Sequence, residues 1–111
     1  MTNSYLPERG DIIFTNFDPS AGHEQARPRP ALVLTISAFN KLGGLALVMP
    51  ITSTVRGSGF EVPINTKKTT GVILCHQLKM IDYMARGADF IERAPQAVLS
   101  HSLAKARALV A

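Results

Sequence analysis

The sequence has a single cysteine, Cys75, no tryptophan, and only two tyrosines and five phenylalanines among its 111 residues. One cysteine excludes an internal disulfide and a cysteine-based zinc cluster, so packing alone must hold the fold. The three histidines, His23, His76 and His101, show no metal-ligand spacing, and no metal or cofactor is expected. No apolar run approaches the roughly 18 residues that a membrane helix needs. The opening MTNSYLPERG also lacks the apolar stretch of a signal peptide, so the expectation is a cytoplasmic protein without a membrane partner. Rossmann enzymes, TIM barrels and kinases are excluded by length. A hydrophobic content of 46% argues against wholesale disorder. With no internal repeat or linker, residues 1–111 read as one domain, ordered from about residue 5. A core this small gains from dimerisation.

The net charge of +4 is unevenly spread. Residues 25–81 hold Arg27, Arg29, Lys41, Arg56, Lys67, Lys68 and Lys79 against the single acid Glu61, a local charge of +6. Residues 1–24 carry −3 and residues 82–111 carry +1. A basic middle flanked by acids suits a polyanion-facing surface, because each phosphate neutralised releases counterions.

Short apolar, β-branched runs at 12–17, 31–36, 45–51, 60–64 and 71–81 predict strands. Pro63 demotes its run to an edge. So many short strands imply a small barrel or strongly curved sheet. Ser37 is placed to cap a brief helix through Leu42, stopped by Gly43. The strongest helix follows Pro95, with Leu99, Leu103, Ala106 and Val110 at helical spacing. This helix and the stretch from Leu42 to Leu47 read as core or dimer contacts, with core preferred.

Two segments resist a purely structural reading. Residues 18–30 form a long polar connection ending in Arg27-Pro28-Arg29-Pro30. Residues 52–59 follow a strand with four hydroxyls, Arg56 and two glycines. Cys75 and His76 are neighbours on one predicted strand, so they face opposite ways and do not form a nucleophile pair.

Gly10-Asp11-Ile12, Phe17-Asp18-Pro19, Gly22-His23-Glu24-Gln25, Arg29-Pro30-Ala31, Pro50-Ile51-Thr52-Ser53 and Gln77 to Asp82 with Ala85-Arg86 resemble, in order and over nearly the whole chain, the MazF/PemK toxins of bacterial type II toxin–antitoxin modules. The resemblance implies a mainly β fold with α, an SH3-like small β-barrel of the MazF/PemK/CcdB-like type with a C-terminal helix. It also implies a homodimer, a cognate antitoxin partner that masks the RNA site, and metal-independent endoribonuclease action on single-stranded RNA. Cleavage by the RNA's own 2′-hydroxyl would leave a 2′,3′-cyclic phosphate and a 5′-hydroxyl, and translation would stop.

The family's catalytic positions fall on Arg29 and Thr52. Arg29 suits a phosphate clamp through its planar, permanently charged fork. Thr52, directly after a strand, can donate its hydroxyl to a phosphate oxygen. Glu24 matches an acid of the family and stands as the base or as the residue orienting Arg29, since arginine is not a plausible base. RNA contacts are expected from His23, Gln25, Ser53, Arg56, Gln77 and Lys79, the last two sharing a face if their strand is continuous. Phe60, Tyr83 and Phe17 are the nearest stacking aromatics, and Arg86 is read as either an RNA contact or a partner of Asp82 or Asp89. Two rival readings are a CcdB-like toxin that binds DNA gyrase without chemistry and a non-catalytic RNA-binding barrel.

Overall fold

The computed structural model describes residues 5–17 and 28–111. The order is β1 (Asp11–Asn16), β2 (Pro28–Val33), α1 (Ser37–Gly43), β3 (Ala46–Thr52), β4 (Glu61–Asn65), β5 (Thr70–Leu74), β6 (Lys79–Ile81), α2 (Tyr83–Arg86), β7 (Asp89–Arg93) and α3 (Gln96–Val110). The strands form one curled antiparallel sheet in the order β4-β5-β3-β2-β1-β7, with β6 on β3. As Pro63 predicts, β4 is an edge.

Alternation along the three central strands feeds two cores. Ile12, Leu32, Met49 and Ile51 join Val62, Ile64 and Ile73 on one face, closed by Leu99 with Val98, Leu103 and Ala106 of α3. Their neighbours Ile13, Ala31, Val33, Ala46 and Val48 meet Ile81, Tyr83 and Ala88 on the other. Burial on both faces explains why these strands read as nearly continuous apolar runs.

The stretch 71–81 is two strands, not one. β5 pairs with Ile51 and Thr52, β6 pairs with the opposite end of β3 from Ala46 to Val48, and a turn closed by the Gln77 N–H on the Leu74 carbonyl (3.1 Å) separates them. β7 went unpredicted because it is a polar, largely exposed edge carrying Asp89, Glu92 and Arg93. The core expectation fails at Leu42, 89% exposed, and at Val110, 84% exposed. Ser37 is not a side-chain cap. Its backbone N–H donates to Glu8 Oε1 at 2.7 Å, so an acid distant in sequence serves the start of α1. Gly44, at φ +70°, ends that helix by donating its N–H to the Asn40 carbonyl.

Much of the acidic N-terminus has structural work. Asp11 is buried, accepts from Tyr5 Oη (2.5 Å) and from the Glu8 N–H (3.1 Å), and pairs with Arg93 at 2.7 Å. Burial and this bond to Asp11 push the Tyr5 phenol strongly up from its ordinary pKa. Asn40 is fully buried, with its amide donating to the Pro7 and Thr35 carbonyls and its carbonyl accepting from Tyr83 Oη at 2.7 Å. Tyr83 therefore offers no face for a stacked base.

Candidate functional site

The β2–β3 ladder runs only from Ala31–Val33 against Val48–Pro50, after which β3 continues through Ile51 and Thr52 onto β5. Pro28, Pro30 and Pro50 stand where the two strands part, and none has an amide hydrogen to extend the ladder. The parting leaves a groove of about 510 Å³ lined by residues 28–30, 51–54 and 68–70. Two of the expected catalytic residues, Arg29 and Thr52, line it together with Ser53. Both continue the alternation of the second core face, Arg29 two residues before Ala31 and Thr52 four after Val48, so the same parity that buries their neighbours brings them together.

Arg29 is in register with Thr15, whose buried hydroxyl donates to the Gly87 carbonyl at 2.6 Å. The strand under Arg29 is thus fixed while its own side chain is exposed. The Thr52 Oγ1 accepts the Thr54 N–H at 3.2 Å, which uses a lone pair and leaves the hydroxyl hydrogen for another acceptor. Gly71 lies against the same backbone at φ +150°, and a Cβ there would stand 2.2 Å from the Thr52 carbonyl oxygen. Only glycine lets β5 approach this closely. A strand glycine is itself a signal of close backbone approach, but nothing in the sequence says which backbone.

The far wall is the β4–β5 turn. Thr66 Oγ1 accepts the Lys68 N–H (3.2 Å) and the Thr69 N–H (2.9 Å) while donating to Glu92 Oε2 of β7 at 2.5 Å. Lys68 donates to the Ile91 carbonyl at 3.3 Å. Thr69 is 4% exposed, and its Oγ1 has no hydrogen-bond partner. Among its described residues the lining holds two cations, Arg29 and Lys68, five hydroxyls and no acid. Lys68, Thr69, Thr70 and Gly71 were not singled out in the sequence.

The other expected contacts lie elsewhere. Arg56 and Gln77 are exposed and outside the groove lining, Arg56 in the loop after Thr52 and Gln77 in the β5–β6 turn. The shared face expected for Gln77 and Lys79 is lost with the break in the strand. Lys79 Nζ and Arg86 Nη1 both donate to the Phe17 carbonyl, at 3.3 and 3.5 Å, and Arg86 also reaches the Asn16 carbonyl at 3.4 Å. Arg86 therefore pairs with neither Asp82 nor Asp89. Asp82 instead caps α2 by accepting the Ala85 N–H at 3.1 Å. His23, Glu24 and Gln25 lie outside the described residues.

Cys75 is buried while His76 is exposed and beside Phe60, with ring centroids 6.2 Å apart. Burial pushes the Cys75 thiol up, away from the reactive thiolate. Among the described residues no three His, Cys, Asp or Glu side chains group to hold a metal, and no helix is long and apolar enough to cross a membrane.

The family model described as PemK-like, MazF-like toxin of type II toxin–antitoxin system matches residues 8–110. Endoribonuclease PemK of Escherichia coli is 41% identical over 103 residues, covering 88% of this chain and 77% of that protein. Endoribonuclease toxin ChpB of Escherichia coli is 44% identical over 109 residues, covering 93% of each. Among solved structures, MazE-MazF (Form-II) from Deinococcus radiodurans superposes with a TM-score of 0.89 at 37% identity, covering 96% of each chain.

Proposed function

The chain belongs to the PemK-like, MazF-like toxin family of type II toxin–antitoxin systems and is an endoribonuclease toxin; on that premise we propose that the groove between β2 and β3 is where single-stranded RNA is cut. The observation that carries this reading is the convergence of Arg29 and Thr52 on one groove whose described lining residues include two cations and no acid. Attack by the RNA's own 2′-hydroxyl needs a proton acceptor, stabilisation of the charge that builds on the phosphorane oxygens, and a proton for the leaving 5′-oxygen. It needs no metal and no covalent enzyme intermediate, and its products are a 2′,3′-cyclic phosphate and a 5′-hydroxyl.

Arg29 supplies the charge stabilisation, since its fork donates two parallel hydrogen bonds to phosphate oxygens and stays charged. Thr52, with one lone pair occupied by the Thr54 N–H, directs its hydroxyl hydrogen to a non-bridging oxygen. Ser53 offers a second hydroxyl at the same rim. Glu24 is assigned as the base or as the residue that orients Arg29, and His23 and Gln25 as RNA contacts on the same connection. Arg56, Gln77 and Lys79 extend the contacts beyond the groove, and Lys79 does so from a position that also holds the chain at Phe17.

The protein acts as a homodimer in the cytoplasm. The Deinococcus radiodurans structure is of MazE-MazF, a Mycobacterial endoribonuclease is solved in complex with its cognate antitoxin, and the partner here is a cognate antitoxin. An acidic, flexible segment of it laid over the basic groove would block RNA by charge and by bulk.

The test is incubation of the purified protein with mixed-sequence single-stranded RNA in EDTA. The expected result is short fragments ending in cyclic phosphate, with Arg29→Ala slowed by about 10²- to 10³-fold while still folded and dimeric. Intact RNA, or cutting that stops in EDTA, would overturn the mechanism.

A further inference from the structure

The groove has a second cation that neither the catalytic assignment nor the sequence motifs include. We propose that Lys68, on the turn between β4 and β5, binds a second phosphate of the RNA strand and so positions the scissile one against Arg29. The inference rests on the groove being the RNA site.

Three observations carry it. Lys68 and Arg29 line the same groove from different segments, Arg29 from the start of β2 and Lys68 from the far turn, so a strand lying in it meets positive charge from both. The backbone that presents Lys68 is fixed in advance, because the Thr66 hydroxyl holds the Lys68 and Thr69 amides and is itself anchored on Glu92. Such prior ordering reduces what the substrate must organise. Finally, among the described residues no carboxylate pairs with the ammonium, which donates to the neutral Ile91 carbonyl at 3.3 Å. An ammonium has three donors, so two remain for phosphate oxygens without breaking the Ile91 contact.

A single-phosphate contact of this kind has a signature that a structural role lacks. The logarithm of single-strand affinity falls against the logarithm of salt concentration with a slope of about −0.7 per phosphate neutralised. Binding of an RNA oligonucleotide carrying 2′-O-methyl groups, which cannot be cut, is titrated with salt for the wild type, Lys68→Gln and Lys68→Arg. The expected result is a slope shallower by about 0.7 and affinity about fivefold weaker near 0.1 M salt for Lys68→Gln, with Lys68→Arg restoring both. In cleavage of unmodified RNA the loss should fall mainly on KM. Wild-type binding with an unchanged slope in Lys68→Gln would overturn the role of Lys68 alone. A lowered melting temperature with no change in slope would overturn it too, leaving Lys68 as a tie to Ile91. Failure of the wild type to bind RNA would overturn the ribonuclease groove itself. Normal RNA binding with weakened antitoxin binding would move Lys68 to the antitoxin surface and refute the assignment.

Discussion

Gly71→Ala should damage catalysis from a position that touches no substrate. The new Cβ would lie 2.2 Å from the Thr52 carbonyl oxygen, 2.9 Å from its carbonyl carbon and 3.3 Å from Ser53 Cα. All three are backbone atoms, so no side chain can swing aside. Overpacking of this kind costs about 1–3 kcal/mol. The φ of +150° adds strain for any residue with a Cβ, about 1–3 kcal/mol more. The sum, about 2–6 kcal/mol, reaches only the lower end of the roughly 5–15 kcal/mol that holds a domain together, so the variant should fold with a much reduced margin. Relief of the clash requires Thr52 and β5 to separate by about 1 Å, a misplacement worth roughly 10²-fold in rate.

The control is Gly44→Ala, which also has positive φ, +70°, but nothing within 4 Å of the added carbon. Melting temperature and kcat/KM are measured for both variants. Gly71→Ala should lose about 100-fold in kcat/KM and melt well below Gly44→Ala, whose activity should match the wild type. A Gly71→Ala protein with wild-type kcat/KM and no lower melting temperature than Gly44→Ala would refute the claim that β5 fixes Thr52.

Glu61 accepts the Arg56 N–H at 3.1 and 3.2 Å and the Gly57 N–H at 3.0 Å, which ties down the loop after Thr52. Glu61→Ala should raise KM about fivefold, roughly 1 kcal/mol for contacts at the surface, with Glu61→Gln intermediate; steady-state kinetics with kcat reduced and KM unchanged would contradict this. Glu8 is held below the ordinary glutamate range by hydrogen bonds from the Ser37 and Arg9 amides. A depressed carboxylate stabilises the fold fully above its unfolded pKa, about 4.3, and that contribution is lost as pH falls through the lower folded value. Denaturant midpoints of the wild type and Glu8→Gln should therefore differ at pH 6 and converge in the acid range below pH 4, and a constant gap would refute the link.

How far the sequence could be read depended on where each residue's partner lay. Runs of Ile, Val and Leu are visible without a partner, so β1 to β4 and the helix after Pro95 were found, and Pro63 alone placed β4 at an edge. β7 lacked an apolar pattern because it is held by backbone pairing to β1 and by the Asp11–Arg93 ion pair. The strand from 71 to 81 looked continuous because Cys75 and Leu78 are themselves core residues, although the chain turns between them. Arg29 and Thr52 came from family motifs rather than from spacing. Their 23-residue separation conveys nothing until β2 and β3 are paired and then part. Lys68 and Gly71 are legible only in three dimensions, since both derive their meaning from segments to which the sequence does not connect them.

The two walls of the groove are held by different physics, and this bears on how the site can change. The β2 wall stands on a buried ladder, with Thr15 behind Arg29 and Ala31 fully enclosed, so its position is set by the core. The far wall belongs to β4 and β5, at the opposite end of the strand order from β7. Side chains span that gap, with Thr66 on Glu92 and Lys68 on the Ile91 carbonyl. The Thr66–Glu92 bond is part-buried and anchors the turn, whereas the exposed Lys68 contact contributes little and exchanges with water. The proposed catalytic pair therefore sits on the buried ladder, while the turn carrying Lys68 is fixed by hydrogen bonds of its own side chains. Substitutions in that turn can retune RNA contact without disturbing the core, whereas the positions beside Arg29 and Thr52 have no such freedom.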